Sequence, residues 1–143
     1  MSRKKHSRRG TTAVEMALVI PIIFGLLFAA IDFSRAQNVR NTAALAAYEG
    51  AREGILPGRT ASGIQQVVQA NIDTLGIVDA VITVTPTTIT PRTSEITVVV
   101  TTPMDSNLYA YSKFFAGKTI TTTCTLARES ELTKQSQDAT LTQ

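Results

Sequence analysis

Glu15 is the residue whose type and place most demand a chemical reason. It is the one charge inside the apolar run AVEMALVIPIIFGLLFAAI, residues 13–31. A carboxylate held among apolar side chains is costly, so it either snorkels to the headgroup level or has a partner and a purpose. The ingredients of reactive sites are scarce elsewhere. Cys124 is the sole cysteine and His6 the sole histidine. These counts exclude an intramolecular disulfide, a cysteine-based metal site, a histidine-rich metal site and any histidine-dependent triad. Cys124 lies in an alternating stretch and reads as a small buried hydrophobe. Serine and threonine are abundant, but no neighbour marks one as activated. No phosphate-binding glycine loop and no acid pair at helical spacing stands out. The sequence therefore reads as a non-enzyme with no cofactor and no metal.

The element that must position Glu15 is a membrane helix. Residues 1–10 contain Arg3, Lys4, Lys5, Arg8 and Arg9 and no acid, whereas the rest of the chain has nine basic and eleven acidic side chains. The net charge of +3 is thus an N-terminal block and not a property of the whole surface. A basic block can bind nucleic acid or precede a membrane span. An apolar run follows at once, so the reading is membrane and not nucleic acid, with the N-terminus cytoplasmic. Nineteen helical residues at about 1.5 Å each nearly cover a hydrocarbon core of roughly 30 Å. Asp32 and Arg35 mark the exit. Two other readings compete with a retained span. A cleaved signal peptide would need a shorter apolar run and a better cleavage site than Phe28-Ala29-Ala30. A twin-arginine signal is suggested by Ser7-Arg8-Arg9, but Gly, Thr and Thr follow where such signals turn apolar.

Beyond the span, residues 34–54 are good helix formers without proline, which predicts that the membrane helix continues outward. Small residues recur along it: Ala43, Ala47 and Ala51, with Ala46, Gly50 and Gly54 beside them. Such a ridge admits a second backbone closely, either the protein's own sheet or a neighbouring molecule. Gly54 and Pro57-Gly58 should end this helix. A second, amphipathic helix is expected over 62–75, with Ile64, Val67, Val68, Ile72 and Leu75 on its buried face. Three strands follow, over 80–85, 95–101 and 118–127. Their alternation sets Ala80, Ile82 and Val84, then Ile96, Val98 and Val100, then Ile120, Thr122, Cys124 and Leu126 toward a core. Threonine fills most outward positions and reads as a solvated sheet face. Tyr109, Tyr111, Phe114 and Phe115, within 105–117, are expected to cap the open end of that core. The fold class is α+β: a long N-terminal transmembrane helix extending outward, a second helix and a small three-stranded antiparallel sheet. The divisions are a basic leader at 1–10, the transmembrane helix and its extension at 11–56, an extracytoplasmic α+β domain at 60–129 and a flexible polar tail at 130–143. So small a core is marginal alone, which argues for partners.

The stretch RRGTTAVEMALVIPIIFGLLFAAIDFSRAQ, residues 8–37, resembles the TadE-like family of the Tad (tight adherence) pilus machinery, within the type IV pilin class of N-termini. The carrying features are Arg8-Arg9, Gly10, Val14-Glu15, Pro21 and Asp32-Phe33-Ser34-Arg35-Ala36. Ala51-Arg52 in an alanine-rich helix and a threonine-rich β tail ending near Ala127-Arg128-Glu129 are also similar. Met16 departs from the Phe or Tyr that often follows the glutamate. The resemblance implies cleavage by a prepilin-type peptidase between Gly10 and Thr11. Glu15 is then the fifth residue of the mature chain, able to pair with the new amine of Thr11 and set the register of packed helices. Pro21 is a site where the helix can bend. The expected role is a minor pilin or pseudopilin of a Tad-type pilus or secretion apparatus in the bacterial inner membrane, its partners the peptidase, other pilin or Tad-type subunits and the lipid bilayer. An uncleaved bitopic assembly factor of the same machinery and a secreted binding protein with a signal peptide are the alternatives.

Overall fold

A computed structural model describes residues 9–128 of the chain. The basic leader therefore lies almost entirely outside the described residues, as does the polar tail. The first element, α1 (Arg9–Gly54), is one helix of 46 residues that continues through Pro21. At about 1.5 Å per residue it is roughly 70 Å long. A loop containing Gly58, at φ 79°, leads to α2 (Ala61–Thr74). Thr60 caps α2, its hydroxyl oxygen accepting from the Gly63 N–H at 3.2 Å. Such a cap satisfies one of the amides that a helix start leaves unpaired. Gly76, at φ 61°, follows the end of α2 and turns the chain toward the sheet.

Strands β1 (Val81–Thr85), β2 (Glu95–Pro103) and β3 (Thr119–Ala127) form an antiparallel meander in the order β1-β2-β3. Val84 sits opposite Val98, which sits opposite Cys124. This register puts Val84, Ile96, Val98 and Val100 on one face, where all four are buried. Ile82, Ile120, Thr122, Cys124 and Leu126 share that face but are half-buried, because they lie on the two outer strands. The opposite face is threonine-rich, with Thr97 paired to Thr125 through their hydroxyls at 2.8 Å. The architecture is thus the expected α+β arrangement of a long helix, a second helix and a three-stranded antiparallel sheet.

The core forms where the second half of α1 meets α2 and the inner sheet face. Val39, Ala43, Ala46, Ala47 and Ala51 of α1 pack with Ile64, Val68 and Ile72 of α2 and with the β2 valines. Two expectations for α2 are corrected. Val67 is 36% exposed and Leu75 is 48% exposed. Val67 is turned about 100° from the centre of the Ile64–Ile72 stripe at 100° per residue, so it falls on the margin of the buried face. Leu75 is the C-cap, already outside the helical repeat. The aromatic segment is also corrected. Met104, Asn107 and Leu108 are the buried residues at that end of the fold, whereas Tyr109, Phe114 and Phe115 are exposed. The reason is that side chains from α1 pin the loop backbone.

Candidate functional site

The pinning residue is Asp32, the first polar side chain after the apolar run. It is buried, and its carboxylate accepts three consecutive backbone N–H groups. Tyr109 donates to Oδ1 at 3.0 Å, Tyr111 donates to Oδ2 at 2.7 Å, and Ala110 lies between them at 3.0 Å from Oδ2. Burial alone would raise the Asp32 carboxyl, but the N–H bonds from Tyr111, Tyr109 and Ala110 outweigh it and hold the group below its ordinary value. A carboxylate filling such a concavity of amides is the charge-assisted arrangement that most strongly orders a loop.

Arg35, three residues on and therefore on the same side of α1, completes a collar. Its guanidinium donates to the carbonyl oxygens of Leu75, Gly76 and Asn107 at 3.3–3.4 Å. It therefore binds the C-terminal end of α2, whose carbonyls carry the negative end of the helix dipole. Its cation also lies 5.7 Å from the ring centre of Tyr109. Asn107 ties the remaining strands of chain together. Its side-chain amide donates to the carbonyls of Val78 and Pro103 at 3.0 and 2.8 Å, and its Oδ1 accepts from the Val78 N–H at 3.0 Å. Asp32, Arg35 and Asn107 together lock the head to α1 where the apolar run ends.

Below the collar the same loop continues along α1. Tyr111 donates its hydroxyl hydrogen to the Gly25 carbonyl at 2.9 Å. A 3₁₀ turn, Ser112–Phe115, follows. Between this loop and α1 an open groove of about 610 Å³ is lined by Ala29, Phe33, Ala36, Leu108, Phe114 and Phe115 among others.

The sequence-predicted residues fall into two groups. Gly10, Thr11, Glu15 and Pro21 all lie on the exposed first half of α1. Ala43, Ala46, Ala47, Ala51, Gly50 and Gly54 are buried on the second half. There the ridge meets the protein's own elements. A Cβ on Gly50 would overlap a Val68 methyl. One on Gly54 would lie 2.7 Å from Ile64 Cδ1 and 2.9 Å from Ile96 Cδ1. Among the described residues no group of three or more His, Cys, Asp or Glu side chains gathers as a metal site. The collar is what sequence reasoning missed. Asp32 and Arg35 stood as exit markers and as part of the motif that carries the resemblance, with no contact assigned to either. The usable sign was an acid and an arginine one turn apart immediately after an apolar run, where both can reach backbone groups of the head.

Comparison with known proteins bears on this region. The model of the family described as TadE-like protein matches residues 10–52. The match spans the exposed half of α1, the collar residues of α1 and most of the packing ridge, and it bears out the resemblance carried by residues 8–37. No curated protein and no solved structure matches the chain. Among the described residues one helix, spanning Gly10–Gly54 of α1, is long and apolar enough to cross a membrane, and its most apolar stretch is wholly unburied. Together with the family match, it describes a membrane-anchored chain.

Proposed function

We propose that the chain is a pilus-associated structural subunit, of the minor pilin or pseudopilin type, in a Tad-type apparatus of the bacterial inner membrane. The observation that carries this reading is the family match over 10–52, laid on a helix that passes without a break from an exposed apolar half into the spine of a folded head. The basic residues before the apolar run argue for a cytoplasmic N-terminus and a head on the other side. A secreted form cut near Ala36 would lose Asp32 and Arg35, and with them the bonds that pin residues 109–111 and the end of α2, and one cut near Ala30 would keep those but lose the Gly25 carbonyl that Tyr111 bonds. A retained helix keeps them.

In this reading a prepilin-type peptidase cuts between Gly10 and Thr11. Thr11 and Glu15 are four residues apart, hence on one face of α1. The freed amine of Thr11 can then meet Glu15 in the same subunit or in a neighbour, and each charge offsets the cost of the other in apolar surroundings. The test is the mass of the membrane-extracted protein. Wild type should begin at Thr11, and Gly10→Leu should accumulate as the longer precursor. An unchanged mass in Gly10→Leu would sink the processing step and leave an uncut assembly factor as the better description. Glu15→Gln should be processed normally yet co-isolate poorly with its pilus partners at equal membrane level.

A further inference from the structure

We propose that the loop of residues 108–116 is a second membrane contact. Phe114 and Phe115 enter the interfacial layer of the bilayer that α1 crosses, and a phospholipid acyl chain fills the groove between loop and helix. The inference rests on the reading of α1 as a membrane span and adds a lipid site on the head.

Depth is the first argument. Tyr111 is hydrogen-bonded to the carbonyl of Gly25. Gly25 is seven residues before Asp32, about 10 Å along the helix axis, and six before the end of the apolar run at Ile31. A bilayer surrounding residues 13–31 therefore surrounds the ring tip of Tyr111, while the backbone of 109–111, bonded to Asp32, sits at the exit of the span, the level of the interfacial layer.

The side chains suit that place. Phe114 is 85% exposed and Tyr109 71% exposed, and Phe33 on α1 is exposed beside them. Phe114 packs edge-on against Tyr111, with ring centres 6.3 Å apart. Tyr109 and Tyr111, rings with a polar tip, suit the boundary between headgroups and hydrocarbon, and the wholly apolar rings of Phe114 and Phe115 suit its hydrocarbon side. Lys113 and Lys118, both exposed, flank the rings and can extend their ammonium groups to phosphates.

The backbone is the independent argument. In the hydrocarbon region irregular backbone is tolerated only where protein or water covers it, so a loop resting at the boundary must hold its polar groups largely within the chain. Here Asp32 takes the N–H groups of Tyr109, Ala110 and Tyr111. The Phe114 N–H bonds the Tyr111 carbonyl at 2.9 Å, and the Lys118 N–H bonds the Phe115 carbonyl at 2.9 Å. Asp32 thus does for the loop what water would do on a soluble protein. The groove is bounded on the α1 side by Ala29, Asp32, Phe33 and Ala36, with the Asp32 carboxylate already taken up by the loop amides, so its remaining wall is continuous with the exposed apolar surface of the helix. That continuity favours lipid as its occupant over a second protein chain.

The chain contains no tryptophan, so single substitutions give unambiguous reporters. The full chain is placed in phosphatidylcholine vesicles with and without acyl-chain-brominated lipid. Phe114→Trp tests the loop, Leu27→Trp reports the span, and Thr123→Trp on the outer sheet face reports water. Brominated lipid should at least halve the emission of Phe114→Trp and Leu27→Trp, whereas aqueous iodide should quench only Thr123→Trp strongly. Phe115→Trp should repeat the Phe114→Trp pattern. If Phe114→Trp behaves like Thr123→Trp while Leu27→Trp is quenched by bromine, the loop proposal is overturned and the anchor stands. Shielding of Phe114→Trp from both quenchers would place protein, a second copy included, in the groove and equally overturn it. If Leu27→Trp also escapes bromine, the membrane-span reading itself fails.

Discussion

The two halves of α1 share one backbone and differ in what surrounds them. In the first half Leu18, Ile22, Leu26 and their neighbours are all exposed, Leu26 by 68%. In the second half Ala43, Ala46, Ala47 and Ala51 are fully buried. The larger apolar residues thus point at nothing in the chain, and the smallest ones make the core. In water this would be upside down. It makes sense if the first half has lipid as its solvent, where bulky side chains need no protein partner, while close approach of backbones demands small residues. Burial in this molecule is governed by residue size on α1 and by hydrophobicity on α2 and the sheet. The collar of Asp32 and Arg35 sits on the boundary between the two regimes.

The boundary is the most sensitive place to break this contrast. Asp32→Ala should remove about 3 kcal/mol or more, since it strands three amides that share one carboxylate. Amide hydrogen exchange of residues 109–111 should rise sharply in detergent-solubilised protein, while that of β2 changes little. The same contact carries a pH dependence. Because Asp32 is held below its ordinary value when folded, its contribution is complete above the unfolded carboxyl range near pH 4. It is lost as pH falls through the lower folded value. Loop protection should therefore fade on acidification below about pH 4, and Asp32→Asn, which does not titrate, should abolish that added acid sensitivity.

Within the second half, Gly50→Val should destabilise the head by about 2 kcal/mol, because its side chain would be driven into Val68. Thermal unfolding followed by circular dichroism in a mild detergent would register it. The smallest effect belongs to the first half. Leu26→Ala removes a far larger side chain yet should shift the unfolding of the head by less than about 0.5 kcal/mol, since nothing in the chain packs on it. Should Leu26→Ala prove as costly as Gly50→Val, the division of α1 into lipid-solvated and protein-packed halves would be wrong.

Much of this arrangement was readable from period and size. Ile96, Val98 and Val100 alternate cleanly, and a strand with one buried face has only one way to place them. The alanine and glycine ridge was visible as a place of close approach. Which backbone would fill it was not, because smallness says nothing about the identity of the neighbour. Val67 and Leu75 misled because a 3.6-residue count treats the flank and the cap of α2 like its centre. The collar was illegible for a different reason. Asp32 meets backbone amides 77–79 positions away, and an amide leaves no trace in residue type. The aromatic loop followed from the collar. Hydrophobicity alone sends Tyr109, Phe114 and Phe115 inward, but with the backbone at 109–111 fixed on Asp32 it is Met104 and Leu108 that fill the core.

The unbroken course of α1 has a mechanical consequence. A head clamped at Asp32 and Arg35 to α1 cannot swivel independently of the helix turns it grips, and between the collar and Gly10 the one proline, Pro21, is where the helix can yield. From Asp32 back to Gly10 the helix extends roughly 33 Å, so with Pro21 unbent a tilt of the head by about 10° would sweep the Gly10 end sideways by about 6 Å. Any push on the head is in this way geared into lateral motion at the Gly10 end, and the collar shares the torque with the alanine ridge packed in the core.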